Sequence, residues 1–398
     1  MWRIEGARVV ATLARVTGDV GLAEDLAQDA VADALVRWPE SGVPRNAGAW
    51  LTAVAKRRAI DAWRRRERLD VRYREIARDL SETEEIEWEP IPDDVLRLVF
   101  TACHPVLSRE ARVALTLRVV AGLTTEEIAR LLLVPVPTVQ QRIVRAKRTL
   151  TAAKVPFETP EPDEWRDRLG PVLGVVYLLF TEGYSATAGE RWVRADLAQE
   201  AVRLGRVLAA LLPREAEVHG LLALMELQSS RFAARTGPDG SPVLLADQDR
   251  SRWDHGRIRR GRESLARCDA VGRGRGAYAL QAAIAECHAV ARRFEDTDWE
   301  RIVVLYEALG RLAPSPVVAL NHAVAVAEAR GPAPALALVD RLAGSAGLRG
   351  SHLLPSVRGE LLARLGRIEE ARSELVTAAG LARNERQAEV LRAKAAAL

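Results

Sequence analysis

Lysine is nearly absent from this chain. Of its 58 basic residues only Lys56, Lys147, Lys154 and Lys394 are lysine, and the rest are arginine. With abundant alanine, this bias reads as the codon usage of a GC-rich genome more than as a function. Aromatic residues make up only 5%. The three cysteines, Cys103, Cys268 and Cys287, cannot all pair and lie far apart, which excludes a secreted disulfide scaffold and leads us to expect a reducing cytoplasm. No stretch of eighteen uncharged apolar residues occurs, and Arg3, Glu5 and Arg8 charge the first turns, so neither a membrane span nor a secretory signal is expected. Alternating valine- or threonine-rich runs are missing as well, which leaves no sign of a sheet. What remains is a 398-residue chain, 48% hydrophobic, long enough for two or three domains.

The formal net charge of +4 hides a strong segmentation. Residues 56–78 carry ten basic side chains against four acidic ones. Residues 81–94 then hold seven acidic residues and no basic one, with Pro90 and Pro92, and read as an acidic linker. Residues 95–155 return to ten basic against three acidic, and 156–398 are close to neutral. Two basic blocks joined by an acidic connector point toward nucleic acid.

Hydrophobic spacing predicts an all-α fold. Val9, Val10, Leu13 and Val16 recur at helical intervals until Gly18-Asp19. A second helix runs from Gly21 to about Trp38, with Leu22, Leu26, Ala30 and Leu35 expected on one face. A loop then leads to a long helix over 49–68, and helices resume from Asp94 to Leu150. A proline-rich joint at 155–162 closes the first half.

The 49–68 helix sets Lys56, Arg57, Arg58, Arg64, Arg65, Arg66 and Arg68 against an apolar face of Trp50, Leu51, Val54, Ile60 and Trp63. Arginines so placed neutralise phosphates and release counterions, and a Trp-rich helix beside a loop could stack unpaired bases. A solvated charged face, with Trp50 and Trp63 in the core, is the plainer alternative. Residues 22–36, LAEDLAQDAVADALV, followed by AWLTAVAKRRAIDAWRRRER at 49–68, resemble region 2 of the extracytoplasmic-function sigma factors of the sigma-70 family (group IV). The resemblance implies that Asp25, Leu26, Gln28 and Asp29 contact the β′ clamp helices of core RNA polymerase. It also implies that Asn46, Lys56, Arg57, Arg58, Asp61, Arg64 and Arg65 lie along the melted −10 strand. Arg57 stands where the family often has Asn, and Val31 where it often has Phe.

Residues 123–150, LTTEEIARLLLVPVPTVQQRIVRAKRTL, read as a helix-turn-helix. Thr124 or Thr125 caps the first helix, Glu126 and Glu127 suit its positive end, and Val134-Pro135 makes the turn. Pro137 opens the second helix, whose Val139, Ile143, Ala146 and Leu150 face inward. Glutamine and arginine on the other side can pair with adenine and guanine in the major groove; a helical hairpin inside a larger core is the alternative. This segment is similar to sigma region 4, which implies −35 duplex contacts by Thr138, Gln140, Gln141, Arg142, Arg145 and Lys147, and docking near the polymerase β flap. Gln141 replaces the family's Ser or Thr, so the resemblance implies DNA binding but not which −35 bases are preferred.

Beyond residue 155, helix pairs at 319–342 and 354–379 place Gly331 and Gly366 thirty-five residues apart, close to the tetratricopeptide period. The segments 180–184, 195–208, 218–235, 239–254 and 296–299 resemble the long extension of one sigma-factor subgroup with a tetratricopeptide-like C-terminal domain. That resemblance implies a regulatory region and a protein partner for it. Asp247, Asp249, Arg250, Trp253 and Asp254 form a cluster that could be a ligand or metal pocket, or a network pinning a loop onto helices. Cys103-His104 and Cys287-His288 lack zinc-site spacing, so no metal or cofactor is expected. The domains expected are therefore 1–80 (region 2), 81–94 (linker), 95–155 (region 4) and 156–398 (helical extension). The function expected is promoter-specific transcription initiation. A stand-alone DNA-binding regulator with a ligand-sensing helical domain is the alternative. No enzyme is expected, because no nucleophile–base pair, phosphate loop or paired-histidine helix appears.

Overall fold

Gly18 adopts a left-handed φ of 68° and the Asp19 side chain accepts the backbone N–H of Leu22 at 3.0 Å, so the chain breaks between α1 (Trp2–Thr17) and α2 (Val20–Ser41) where the Gly-Asp pair stands. The computed structural model describes residues 2–65, 92–132, 134–158, 162–184, 195–237, 243–382 and 385–398. The described residues are helical and contain no strand, so the fold is all-α, as the spacing predicts. Internal contacts divide the chain into two compact units, 1–175 and 176–398.

The first unit continues with α3 (Ala47–Arg65), α4 (Pro92–Ala102), α5 (Arg109–Val119), α6 (Thr125–Leu132), α7 (Val136–Ala152) and the first half of α8 (Pro162–Tyr184). α1, α2 and α3 pack together around Val9, Val10, Leu13, Leu26, Ala30, Leu51 and Ala55, all buried. Two details of α2 differ from expectation. Leu35 is 72% exposed, and Ala34 is buried in its place. The inner face follows the four-residue step from Ala30 to Ala34, and the next residue turns about 100° away. The helix also runs past Trp38 through Pro39 to Ser41, because a proline so near the end disturbs little of the hydrogen-bond ladder.

α4 packs on α1 and carries Asp94, 2% exposed, which accepts from Arg15 Nε at 2.9 Å and from Arg97 at 3.0 Å. α6 opens with a reciprocal cap: Glu127 N donates to Thr124 Oγ1 at 3.2 Å, and Thr124 N donates to Glu127 Oε2 at 2.9 Å. Apart from residues 92–94, the acidic linker lies outside the described residues.

In the second unit, α8 meets α9 (Ala195–Leu211) at Gly183, whose missing side chain leaves room for Ala198, and α10 (Ala216–Ser229) lies between α9, α11 (His255–Ala270) and α12 (Ala277–Val290). A Cβ on Gly220 would stand 2.8 Å from Ala279 N, so α10 and α12 cross at a residue without a side chain. Glu217 on α10 accepts from Tyr278 N at 2.8 Å and Ala279 N at 3.2 Å, capping α12 from outside its own sequence. Glu226, 1% exposed, is enclosed by Arg206 of α9 at 2.9 Å and by Arg257 and Arg260 of α11 at 3.5 Å.

The chain then runs as antiparallel pairs: α13 (Trp299–Leu312) with α14 (Pro316–Arg330), α14 with α15 (Pro332–Asp340), α16 (Leu353–Arg364) with α17 (Ile368–Leu381), and α17 with α18 (Glu385–Ala396). Gly331 and Gly366, at φ 91° and 76°, make the turns between α14 and α15 and between α16 and α17. These are the helix pairs that the repeat spacing predicts.

Candidate nucleic-acid interface

α7 is held by its inner residues Val139, Ile143, Ala146 and Leu150, which pack on α5 and α6. Gln140, Gln141 and Arg145 are exposed on its other side, with Thr138 and Arg142 half-exposed. This is the arrangement of a helix that offers amide and guanidinium groups to a groove.

Lys147 departs from the set. It turns toward α2, where its Nζ donates to Glu24 Oε2 at 2.5 Å and Asp25 Oδ1 at 2.8 Å. Burial alone would lower its ammonium, but Glu24 and Asp25 outweigh that and hold it above its ordinary value. Its place two turns beyond Gln140, with α2 across from it, removes it from the open face.

The residues expected to meet polymerase separate in the same way. Asp25 and Asp29 are exposed and Gln28 half-exposed, whereas Leu26 is buried on the inner face of α2, where an apolar side chain in the helical stripe belongs. Leu35 and Val36 extend the open face with apolar surface, Leu35 against the inner face its spacing predicts.

Along α3, Asn46 accepts from Ala49 N at 3.0 Å and so caps the helix. Arg57 is exposed. Arg58 donates to both carboxylate oxygens of Asp33, at 3.0 and 2.6 Å, and approaches Asp29 at 3.3 Å, which raises its guanidinium above the usual value. Lys56 is half-buried, and burial first, then the charge of Arg15, lowers its ammonium. Trp50 is half-buried against Trp38, ring centroids 5.2 Å apart. The side chains of Asp61, Arg64 and Arg65 lie outside the described residues.

In the second unit the 247–254 cluster has local partners. Asp249 accepts from Ser251 N at 2.9 Å and Oγ at 2.6 Å, and Asp254 accepts from Arg257 N at 2.9 Å, capping α11. Arg250 donates to the carbonyls of His288 and Ala291, at 2.6 and 2.8 Å, and lies over the buried ring of Trp253 at 4.8 Å. Asp247 is exposed. Cys103 is buried beside Thr116, and burial pushes its thiol up to about 11.

Burial, then Arg231 and Arg250, push the His288 imidazole down to about 3. An unfolded histidine takes a proton near pH 6.5 and the folded one does not, so the stability this group contributes is present above about 6.5 and is lost as pH falls toward 3. We expect melting curves between pH 7 and 5 to show a falling Tm, with a limiting slope of about 1.4 kcal/mol per pH unit from this group, and His288→Phe to flatten it. An unchanged slope in that variant would exclude His288 as the source.

A cavity of about 420 Å³ opens among α14, α16 and α18, walled by Val324, Val357, Leu361 and Leu391. Its rim carries the Arg364–Glu328 and Lys394–Glu360 ion pairs at 2.6 and 2.9 Å.

Comparison with known families bears on the first unit directly. Residues 1–69 match the profile of sigma-70 region 2, and residues 97–150 that of sigma-70 region 4. The chain belongs to the sigma-70 family. Its two regions followed by a long C-terminal extension are the arrangement of an extracytoplasmic-function-like sigma factor. Within the extension, residues 168–269 match a family of unknown function, DUF6596. An uncharacterized protein of Rhizobium meliloti (strain 1021) is 44% identical over 393 residues, spanning 97% of this chain and 92% of the relative. No solved structure matches the chain. Regions 2 and 4 together support a sigma-factor role in promoter recognition, with RNA polymerase and promoter DNA as the implied partners. Among the described residues no helix is long and apolar enough to cross a membrane.

Proposed function

We propose that this sigma factor docks on the β′ clamp helices of core polymerase through α2, holds the melted −10 strand with α3 and the loop before it, and reads the −35 duplex with α7. The observation that carries the reading is the order of the two sigma regions together with the face α7 leaves open. Gln140, Gln141 and Arg145 project from a helix whose other side is locked into a core. On α2, Asp25, Gln28 and Asp29 border the exposed Leu35 and Val36, a mixed acidic and apolar surface suited to a protein partner. Arg57, exposed midway along α3, supplies a cation for single-stranded phosphate. Residues 1–80, 81–94, 95–155 and 156–398 are the functional segments. The extension modulates the other three, and its cavity and helix pairs offer a surface to a protein partner.

The test is transcription in vitro with purified bacterial core polymerase, the full-length chain and DNA from upstream of its own gene. Specific transcripts are expected, and Asp25→Arg combined with Gln28→Ala should reduce them at least tenfold. A footprint on duplex DNA without polymerase, and no transcripts with it, would instead establish a stand-alone regulator.

A further inference from the structure

We propose that α11 is a further nucleic-acid contact: its exposed arginines grip the phosphate backbone of duplex DNA without reading the sequence. α11 lies outside both sigma regions, so this goes beyond the function proposed above.

The near-neutral extension hides a charge segregation of its own. Residues 250–275 carry nine arginines against three acidic residues, whereas the rest of 156–398 holds 24 basic and 29 acidic residues. That excess equals the one at 56–78, and basic residues gathered along one helix are the electrostatic footprint of a nucleic-acid surface.

The fold turns these charges outward. α11 packs on α10 and α12 through Ile258, Gly261, Leu265 and Cys268, all buried. A Cβ on Gly261 would stand 2.6 Å from Leu227 Cγ, so the missing side chain lets the helix lie close against α10. The opposite side exposes Arg259, Arg260, Arg262 and Arg267, and Arg252 is exposed in the turn before the helix. Arg260 approaches Glu226 at 3.5 Å and Arg262 donates to Glu286 at 2.9 Å. Arg252 senses the charge of Asp249 without an ion pair, and Arg267 has no ion pair among the described residues. Arg259, its side chain 75% exposed, has only Glu263 at 4.0 Å, a pair worth little in water. At the base of the patch Arg206, Arg257 and Arg260 surround Glu226, and Asp254 adds one carboxylate 3.6 Å from Arg257, so three cations meet two anions.

Duplex DNA fits this surface better than other anionic partners. Arg259 and Arg267 stand about 12 Å apart along the helix, at about 1.5 Å per residue. That is close to the width of the major groove, so the two side chains can reach phosphates on either side of it. The helix holds no Asn or Gln to pair with a base edge, which leaves sequence reading to α7. An anionic membrane surface would need apolar side chains to enter it, and Ile258 and Leu265 are buried inward.

The test measures binding of the full-length chain, without polymerase, to two labelled duplexes across a series of salt concentrations. One duplex carries DNA from upstream of its own gene and the other a scrambled sequence. Arg252→Ala, Arg259→Ala and Arg267→Ala are combined in one variant, and the same three positions become lysine in a second. The alanine variant is expected to bind both duplexes at least tenfold more weakly at about 0.1 M salt, and its slope of log K against log salt to shrink by about 2–3 units, at about 0.9 per phosphate contact. The lysine variant should bind as the wild type does, which separates lost charge from lost structure. Glu263→Ala should bind both duplexes several-fold more tightly. An unchanged slope in the alanine variant, or a loss confined to one duplex, would overturn the inference. Normal duplex binding with weakened binding to core polymerase would also overturn it, in favour of an acidic protein surface. A wild-type chain that binds duplex as expected here but gives no transcripts with core polymerase would defeat the sigma-factor reading alone.

Discussion

Replacing Gln141 and Arg145 together by alanine is expected to reduce promoter-specific transcription about a hundredfold while leaving core polymerase binding unchanged. Both side chains are exposed, so neither contributes to the packing that holds α7, and the melting temperature should stay within about 2 °C of wild type. What they would supply is recognition. A bidentate amide or guanidinium pair with a base edge is worth about 1–3 kcal/mol, so losing two such contacts accounts for the expected factor. If Arg145 touches phosphate instead, affinity falls on all sequences alike and the salt dependence of binding loses about one unit of slope. Anisotropy titrations on matched and scrambled duplexes at two salt concentrations separate the two cases. Undiminished promoter affinity in the double variant would remove α7 from the recognition surface.

Glu226→Ala is expected to be the most damaging single substitution in the extension, destabilising the second unit by about 3–5 kcal/mol. The carboxylate is almost fully buried between Arg206, Arg257 and Arg260. Removing it leaves three guanidinium groups facing one another across the α9–α10–α11 junction with only Asp254, 3.6 Å from Arg257, as counter-charge, and that repulsion is the source of the loss. In a unit of this size each kcal/mol moves Tm by about 2–4 °C, so a fall of roughly 10 °C should appear in thermal unfolding monitored by circular dichroism. Glu226→Gln keeps an acceptor for Arg206 but no charge, and should lie between the two. A shift under about 2 °C in the alanine variant would mean that the arginines are satisfied by water and the pairing contributes little.

Much of this architecture was legible before any coordinates. The break at Gly18-Asp19, the threonine cap at 124 or 125, the Gly331 and Gly366 turns and the inner stripe of α7 are all local, set by residues within a few positions of one another. Charge counting placed the basic blocks, helical spacing put them on helices, and the resemblance of their motifs pointed to regions 2 and 4. It failed where a face had to be fixed to a single residue, as with Leu35, which lies one residue beyond the buried stripe.

The sequence by itself determined an all-α chain, its charge segmentation and its membership of the sigma-70 family. Only the tertiary structure decided which charges are free to act. Glu24 meets Arg118 and Lys147 across 94 and 123 residues, and Arg58 is taken up by Asp33 of the neighbouring helix. Leu26 is buried as its spacing suggests, not exposed as the resemblance implies, whereas Leu35 is exposed against its spacing. The reason is physical: periodicity records that a side chain faces inward or outward, whereas its partner is whatever chain closure brings opposite it. A charge marked only as basic or acidic in the sequence becomes a buried ion pair, a cap or an open contact according to that partner.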